Sequence, residues 1–161
     1  LMVDLGGTIV SKASQPISEL NVFEHSTKDL KTVPIICYET IYGEFVSSYT
    51  KKGGDFITII SNDAWWGNTA GHKQLNSYAR LRAIENRRYI VRSANSGISS
   101  IINHRGEVLS TLAYEEYGIL TGNANKVTGR TFYNSYGDFI ARISIFISIS
   151  MFFIFIIKSK K

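Results

Sequence analysis

The sequence has little cysteine, little histidine and no motif with metal-ligand spacing. Cys37 is the single cysteine among 161 residues, so an internal disulfide is excluded and the redox compartment stays open. The three histidines, His25, His72 and His104, lie far apart, and none is grouped with cysteine as zinc sites require. We therefore expect no metal ion and no other cofactor.

Charge is also scarce. Charged residues make up 19% of the chain and apolar residues 44%, which is the composition of a folded domain rather than of a disordered segment. Three of the excess positive charges lie at the very end, at Lys158, Lys160 and Lys161. Because a nucleic-acid surface needs a basic patch on the folded body, we expect no nucleic-acid partner.

The one basic cluster in the body lies between Arg80 and Arg92, and Glu85 interrupts it. In a helix, Glu85 would be three residues from both Arg82 and Arg88, a spacing at which side chains pair. This spacing favours ion pairs within the helix over substrate binding.

One long stretch has no charge, from Ile143 to Ile157, and Phe139–Ala141 extends it upstream across Arg142. As a helix, residues 139–157 would span roughly 28 Å, close to the ~30 Å of a bilayer core. The isoleucines also alternate as in a strand, but buried strands stop after about 4 to 8 residues. We therefore predict a transmembrane helix over 139–157. The positive-inside rule places the lysines at 158–161 in the cytoplasm and the preceding body on the other side.

The body alternates between strand-like and helix-like patterns. A helix is predicted after Cys37 from the stripe Ile41, Phe45 and Tyr49, and a second one over Lys73–Arg88. Residues 104–106 form a turn that joins the last two strands as a hairpin. Strands are predicted at 33–36, 56–60, 89–94, 98–103 and 107–112. This alternation predicts an α/β layered domain.

Cys37 lies where an apolar strand gives way to a helix. A helix N-terminus lowers the pKa of a thiol, and the N–H of Tyr38 would be free to hold an oxyanion. Glu39 is close enough to share such a site. A buried, inert thiol is the common alternative, and no histidine base lies nearby in the sequence. Position alone leaves both interpretations open.

A second candidate is the loop Ser61–Asn68, which reads S-N-D-A-W-W-G-N. Loops that leave the carboxyl ends of strands in α/β sheets often build functional sites. The alternative is an aromatic lid that packs over the edge of the core. Both interpretations are open at this point.

Four stretches occur together in one order: I-C-Y-E at 36–39, S-N-D-A-W-W-G at 61–67, R-L-R-A-I-E-N-R-R at 80–88 and R-S-A-N-S-G-I-S at 92–99. With them, the chain from about Pro34 to Lys161 resembles the apolipoprotein N-acyltransferase family, a membrane-bound branch of the nitrilase (carbon–nitrogen hydrolase) superfamily. The residues within these motifs are most similar to those of Bacteroidetes members. The resemblance implies a partial nitrilase-type αββα sandwich followed by one C-terminal transmembrane helix.

The resemblance also implies a Glu–Lys–Cys triad in which Cys37 is the nucleophile. It would attack an acyl ester of a phospholipid, hold the acyl group as a thioester and pass it to the diacylglyceryl-cysteine of a lipoprotein. Glu39 matches a second glutamate that the family needs near the cysteine. Tyr38 matches the residue between them, and Trp65 matches the loop over the active site.

No segment matches the family's general-base glutamate or its lysine, which precede the cysteine there. We therefore expect a C-terminal piece of a longer bacterial inner-membrane enzyme, inactive by itself. Residues 1–138 would be part of an extracytoplasmic nitrilase-like domain, 139–157 the membrane helix and 158–161 a cytoplasmic tail. The alternatives are a soluble nitrilase-type amidase, which has no use for the apolar stretch, and a membrane-anchored module without catalysis.

Overall fold

The computed structural model describes residues 21–159, so the start of the predicted 1–138 domain and the last two lysines lie outside it. The described chain builds one six-stranded sheet, four α-helices and two short 3-10 turns. The strands are β1 (Phe23–Glu24), β2 (Lys31–Ile36), β3 (Phe56–Asn62), β4 (Tyr89–Asn95), β5 (Ser99–Ile102) and β6 (Val108–Leu112). The helices are α1 (Gly43–Lys51), α2 (Ala70–Asn86), α3 (Phe132–Tyr136) and α4 (Phe139–Ser159).

The sheet has the strand order β1-β2-β3-β4-β5-β6. Strands β2, β3 and β4 are parallel, and the outer pairs are antiparallel. Helices α1 and α2 provide the two crossovers that parallel neighbours require. In the register, Ile36 is paired with Ile60 and Asn62 with Asn95. The carboxyl ends of the three parallel strands therefore lie at one edge of the sheet.

One face of the sheet is covered by α1 and α2. Period-two alternation turns every second strand residue toward these helices, so the buried set is mostly β-branched. The strands contribute Val33, Ile35, Ile57, Ile59, Ile90 and Ile102, and the helices contribute Val46, Tyr49, Ala79 and Ala83. On the opposite face, Ile36 and Ile60 are exposed. The core thus lies between the sheet and one helical layer.

A buried polar network joins α1, α2 and α3. The side-chain oxygen of Asn86 accepts hydrogen bonds from Ser47 (2.9 Å), Thr50 (2.8 Å) and the amide of Asn134 (3.0 Å). A buried polar group is tolerated when it is hydrogen-bonded, and a shared network fixes the register of the parts that it joins. The short helix α3 is therefore docked on the body through Asn134.

Helix α4 runs for 21 residues and is long and apolar enough to cross a membrane. None of its most apolar stretch is buried against the body, and it is the only helix of this kind among residues 21–159. A helix that is apolar all round suits a lipid environment. The prediction of a helix rather than a strand over 139–157 is confirmed, with its end at Ser159.

Most predicted elements are found close to their expected positions. Helix α2 begins three residues earlier than predicted because the Thr69 side chain caps it, accepting the N–H of Gly71 at 3.3 Å. The predicted end at Arg88 was wrong, since Arg87 adopts a left-handed conformation that stops the helix at Asn86. Strand β1 and helix α3 were not predicted, because two and five residues are too few to show a periodicity.

Glu85 was predicted to pair with both Arg82 and Arg88 within α2, and only the pair with Arg82 is confirmed. Arg82 and Glu85 lie 3.1 Å apart and are both largely buried. Burial raises the pKa of Glu85, and the charge of Arg82 opposes that rise. Arg88 instead donates from Nε to the carbonyl of Gly54 at 2.8 Å. It joins the end of α2 to the turn before β3.

Candidate active site

Cys37 lies at a sharp turn of the backbone. Ile36 is still extended, with φ −112° and ψ 117°, whereas Cys37 has φ +49° and begins a 3-10 turn over Cys37–Ile41. A non-glycine residue in this left-handed region costs on the order of 1–3 kcal/mol, and such residues cluster at functional sites. The free thiol is half-buried. The strand therefore ends on a strained elbow that carries the cysteine.

Glu39 is held across this elbow. Its Oε2 accepts the N–H of Ile36 at 2.8 Å, so the carboxylate is fixed by the residue just before the cysteine. Burial raises the pKa of Tyr49 on α1, and the charge of Glu39 raises it further. Glu39 is thus a positioned carboxylate between the elbow and the first helix.

Tyr38 lies between these two side chains. It is the second residue of the 3-10 turn, and the first N–H groups of a helix have no partner within that helix. Burial raises the pKa of its phenol, and the neighbouring Cys37 and Asp63 add to this effect. The ring packs on Trp66, with centroids 6.0 Å apart and planes inclined at 52°.

Asp63 follows β3 and forms a fully buried ion pair with Arg92 of β4. Their side chains meet at 2.8 Å, and the Ser61 hydroxyl donates to the second carboxylate oxygen at 2.6 Å. Arg92 also donates to the carbonyl of Ile98. A Cβ at Gly97 would overlap Asp63 Oδ2, so only glycine allows this close approach. Arg92 therefore joins β4 to the segment that follows β3, through Asp63, and to the turn after β4, through Ile98.

The two tryptophans have different environments. Trp66 ends a 3-10 turn that starts at Ala64, and its ring lies against Gly71 at the start of α2. Trp65 is exposed and donates from its ring nitrogen to the carbonyl of Asn62 at 2.6 Å. The structure therefore brings Trp66 against Tyr38, and the role predicted for Trp65 in the loop over the active site stays a prediction. The loop holds both a packed aromatic lid and an open aromatic surface.

Sequence reasoning selected Cys37, Tyr38 and Glu39, which the structure places on one elbow. It missed the buried pair of Asp63 and Arg92, although both lie inside the quoted motifs. The available signal was that each belongs to a strand, or follows one, at the carboxyl edge of a parallel sheet. In the described part of the chain, no three His, Cys, Asp or Glu side chains come together as metal ligands.

A family model described as carbon-nitrogen hydrolase matches residues 6–132, most of the chain. The chain belongs to the carbon-nitrogen hydrolase family. Among solved structures, this carbon-nitrogen hydrolase chain is similar to Nit3 of Saccharomyces cerevisiae, of the nitrilase superfamily. The TM-score is 0.52 at 21% identity, over 66% of this chain and 41% of that one. The predicted nitrilase-type α/β fold is thereby confirmed.

A second similar structure is a mutant amidase from Nesterenkonia sp. AN1, with acrylamide added at its active-site cysteine. The TM-score is 0.50 at 16% identity, over 82% of this carbon-nitrogen hydrolase chain and 50% of the amidase.

Curated relatives are named apolipoprotein N-acyltransferase. The one from Geobacter metallireducens is 37% identical over 107 residues, which are 66% of this chain and 20% of that protein. The one from Leptospira interrogans, named apolipoprotein N-acyltransferase 2, is 38% identical over 125 residues, 73% of this chain and 20% of that protein. The predicted family resemblance is confirmed. The carbon-nitrogen hydrolase chain spans about one fifth of the length of these relatives.

Proposed function

We propose that this chain is part of a membrane-bound acyltransferase that N-acylates lipoproteins, with Cys37 as its nucleophile. The observation that carries the proposal is the strained elbow at the carboxyl edge of the parallel strands. It presents a thiol with a fixed carboxylate, Glu39, two residues away. The names of the curated relatives supply the reaction class.

In the proposed reaction, Cys37 Sγ attacks the carbonyl carbon of a phospholipid acyl ester. The thiol proton passes to a base, and the ester oxygen leaves on the lysophospholipid with a proton, so that a thioester remains on Cys37. The α-amine of a diacylglyceryl-cysteine then attacks the thioester, forming the amide and releasing the thiol. Two negatively charged tetrahedral intermediates arise, and in this proposal the N–H of Tyr38 would hold their oxygen.

The general base and a lysine come, in this proposal, from segments other than residues 21–159. Within the elbow, Glu39 already accepts the N–H of Ile36, which suits a positioning carboxylate more than a mobile proton acceptor. The exposed ring of Trp65 beside the packed Trp66 would contact the acyl chain of the bound lipid. The chain alone would therefore be inactive.

The membrane helix sets the proposed topology. Residues 1–138 would be the C-terminal part of an extracytoplasmic catalytic domain, 139–157 the span and 158–161 the cytoplasmic tail, in a bacterial inner membrane. The apolar surface of α4 supports this arrangement, and the lysine at its end supports the orientation. The phospholipid donor and the lipidated acceptor would both reach Cys37 from the lipid surface.

A nitrilase-type amidase is the second candidate. The Nesterenkonia amidase resembles this chain in fold and carries acrylamide at its active-site cysteine. The apolar helix α4 favours the acyltransferase, because a soluble amidase would gain nothing from an exposed apolar helix. Release of ammonia from simple amides by the full-length protein would favour the amidase instead.

The test uses the full-length protein that contains this chain and a phospholipid with a labelled acyl chain. Wild-type protein should retain label that neutral hydroxylamine removes, because hydroxylamine cleaves thioesters far faster than oxygen esters or amides. Cys37→Ser should lose this labile label even if a stable oxygen ester forms in its place. Hydroxylamine-labile label in the serine variant would remove Cys37 from the mechanism. An unlabelled wild-type protein would favour a module without catalysis.

A further inference from the structure

We propose that Glu44 is a positioning residue that fixes the height of Cys37 above the bilayer. It does so by holding the start of the membrane helix α4 against α1, the helix that follows the elbow. This inference rests on the proposed function, since the height matters only if the acyl donor lies in the membrane. It concerns the helix joint, defined as residues 136–142 together with Glu44.

One carboxylate oxygen makes the central contacts of the helix joint. Glu44 Oε1 accepts the backbone N–H of Asp138 at 2.9 Å and pairs with Nη2 of Arg142 at 2.6 Å. Arg142 also donates from Nη1 to the carbonyl of Tyr136 at 3.3 Å. Asp138 in turn caps α4 by accepting the N–H of Ala141 at 3.0 Å. The first turn of the membrane helix is thus bound to a side chain of α1.

The backbone of the helix joint is shaped for this contact. Gly137 has φ +72°, a conformation that other residues rarely adopt, and a Cβ there would overlap Glu44 Oε1. Only Gly137 and Asp138 separate α3 from α4. A joint of two residues, one of them in contact with the carboxylate, leaves α4 little freedom while Glu44 holds it.

The other side of the helix joint is fixed as well. Helix α3 is docked by Asn134, which donates to Asn86 and at 2.6 Å to Thr50. The Thr131 hydroxyl before it donates to the carbonyl of Glu85. An unbroken series of hydrogen-bonded elements therefore leads from α4 through α3 to α1 and α2.

An aromatic cluster lies beside the helix joint. The rings of Phe132 and Tyr136 lie 4.5 Å apart, and Phe139 meets Phe132 edge-on at 4.8 Å. Phe132 and Tyr136 are exposed although they belong to a docked helix. Tyrosine, one of these three residues, is enriched at the headgroup level of membranes. The cluster would fix the position of the membrane–water interface on the protein, and Glu44 would fix the height of the elbow above that interface.

The elbow is close to Glu44 along the chain. The 3-10 turn that starts at Cys37 ends at Ile41, and α1 begins at Gly43, so Glu44 is in the first turn of the next helix. An acyl ester lies near the headgroups, and displacements of about 1 Å at a reacting atom can cost on the order of a hundredfold in rate. Loss of the Glu44 contacts would let α4 pivot at Gly137 and change how the elbow meets the membrane.

The test compares Glu44→Ala, Glu44→Gln and the matched control Glu24→Gln in the full-length protein, reconstituted in phosphatidylethanolamine–phosphatidylglycerol vesicles. Glu24 also pairs with a cation on the surface, Lys31 at 2.5 Å, but lies on β1. For Glu44→Ala, KM for the vesicle phospholipid should rise about three- to tenfold. KM should rise less for Glu44→Gln, because the glutamine side chain still accepts the N–H of Asp138. Glu24→Gln should match the wild type.

A water-soluble short-chain ester provides the discriminating readout. Acylation of Cys37 by this ester should stay within about twofold of wild type in both Glu44 variants, since it needs no contact with the bilayer. An equal loss with the soluble and the vesicle substrate would indicate a structural role only and would overturn the proposal. An unchanged KM in Glu44→Ala would overturn it too.

A measurement without turnover separates this inference from the proposed function. With any cysteines outside this chain removed, a fluorophore on Cys37 is quenched by lipids that carry spin labels at graded depths. Glu44→Ala should change the depth profile, and Glu24→Gln should not. If no thioester forms in the wild type, the proposed function fails while the depth profile still tests the helix joint. An unchanged profile in Glu44→Ala overturns the inference.

Discussion

Two carboxylate–arginine pairs hold two regions of this protein, and they differ mainly in burial. At the edge of the sheet, Asp63 and Arg92 meet at 2.8 Å with side chains 0% and 1% exposed. At the helix joint, Glu44 and Arg142 meet at 2.6 Å with side chains 50% and 63% exposed. The chemical groups and the distances are nearly the same, so any difference in what the pairs do comes from their surroundings.

Burial changes what the loss of one partner costs. Removing one member of a buried pair leaves an uncompensated charge and costs about 3–5 kcal/mol, whereas exposed pairs contribute about 0–1 kcal/mol. The pair at the sheet edge therefore maintains the fold of the site. The pair at the helix joint contributes little to stability and mainly selects one orientation of α4.

The largest effect is expected for Asp63→Ala. It leaves Arg92 buried without a counter-charge and removes the acceptor of the Ser61 hydroxyl, so the free energy of unfolding should fall by about 3–5 kcal/mol. The measurement is denaturant unfolding of the full-length protein in detergent. Asp29→Ala is the matched control, because Asp29 forms an exposed pair with Lys126 at 3.0 Å. Similar losses of unfolding free energy in both variants would contradict the conclusion that burial makes the Asp63 pair more important for stability.

Gly97→Ala tests the same region by steric means. The added Cβ would overlap Asp63 Oδ2, so either the ion pair or the β4–β5 turn must shift. We expect a loss of about 1–3 kcal/mol, typical of overpacking. Gly118→Ala is a suitable control, since its Cβ would meet only side-chain carbons of Leu112, the nearer one at 3.2 Å. Equal midpoints of thermal unfolding for the two variants would contradict close packing of Gly97 against Asp63.

Two variants of Cys37 test whether the backbone of the elbow is strained. Glycine adopts φ +49° freely and alanine does not, so Cys37→Gly should be about 1 kcal/mol more stable than Cys37→Ala. Elsewhere, the same change to glycine normally destabilises. Both variants lack the thiol, so the comparison isolates the backbone. An alanine variant as stable as the glycine variant would show that the elbow is relaxed.

The smallest effect on stability is expected at the helix joint. Glu44→Gln should lower the free energy of unfolding by less than about 1 kcal/mol, and the difference should shrink as salt is raised, because both side chains are solvated. The difference for Asp63→Ala should persist at high salt. A large, salt-independent loss in Glu44→Gln would mean that the helix joint maintains the fold and does not only orient α4.

The sequence predicted the layered α/β fold well because period-two strands and a helical stripe each bury a defined face. The apolar stretch that became α4 was equally clear, since no charge interrupts residues 143–157. The elbow was located by its position between a strand and a helix. Helix α3 was not, because its five residues are held by Asn134 through partners more than 40 positions away in the chain.

The candidate site shows the same division. Cys37, Tyr38 and Glu39 are consecutive or nearly so, so their proximity is fixed by covalent geometry. Trp65 and Trp66 are adjacent in the sequence, but one ring is exposed and the other is packed. Which ring is packed depends on how the turn after Asp63 directs it toward Tyr38. Only the packed structure selects Trp66.

By itself, the sequence determined the local properties of this protein: an apolar helix long enough to cross a membrane, a layered α/β body and a cysteine at a strand end. These follow from periodicity and hydrophobicity, which act between near neighbours in the chain. The tertiary structure decided which distant charges meet, such as Asp63 with Arg92 and Glu44 with Arg142. It alone sets the burial of each pair, and burial decides whether the pair maintains the fold or orients α4.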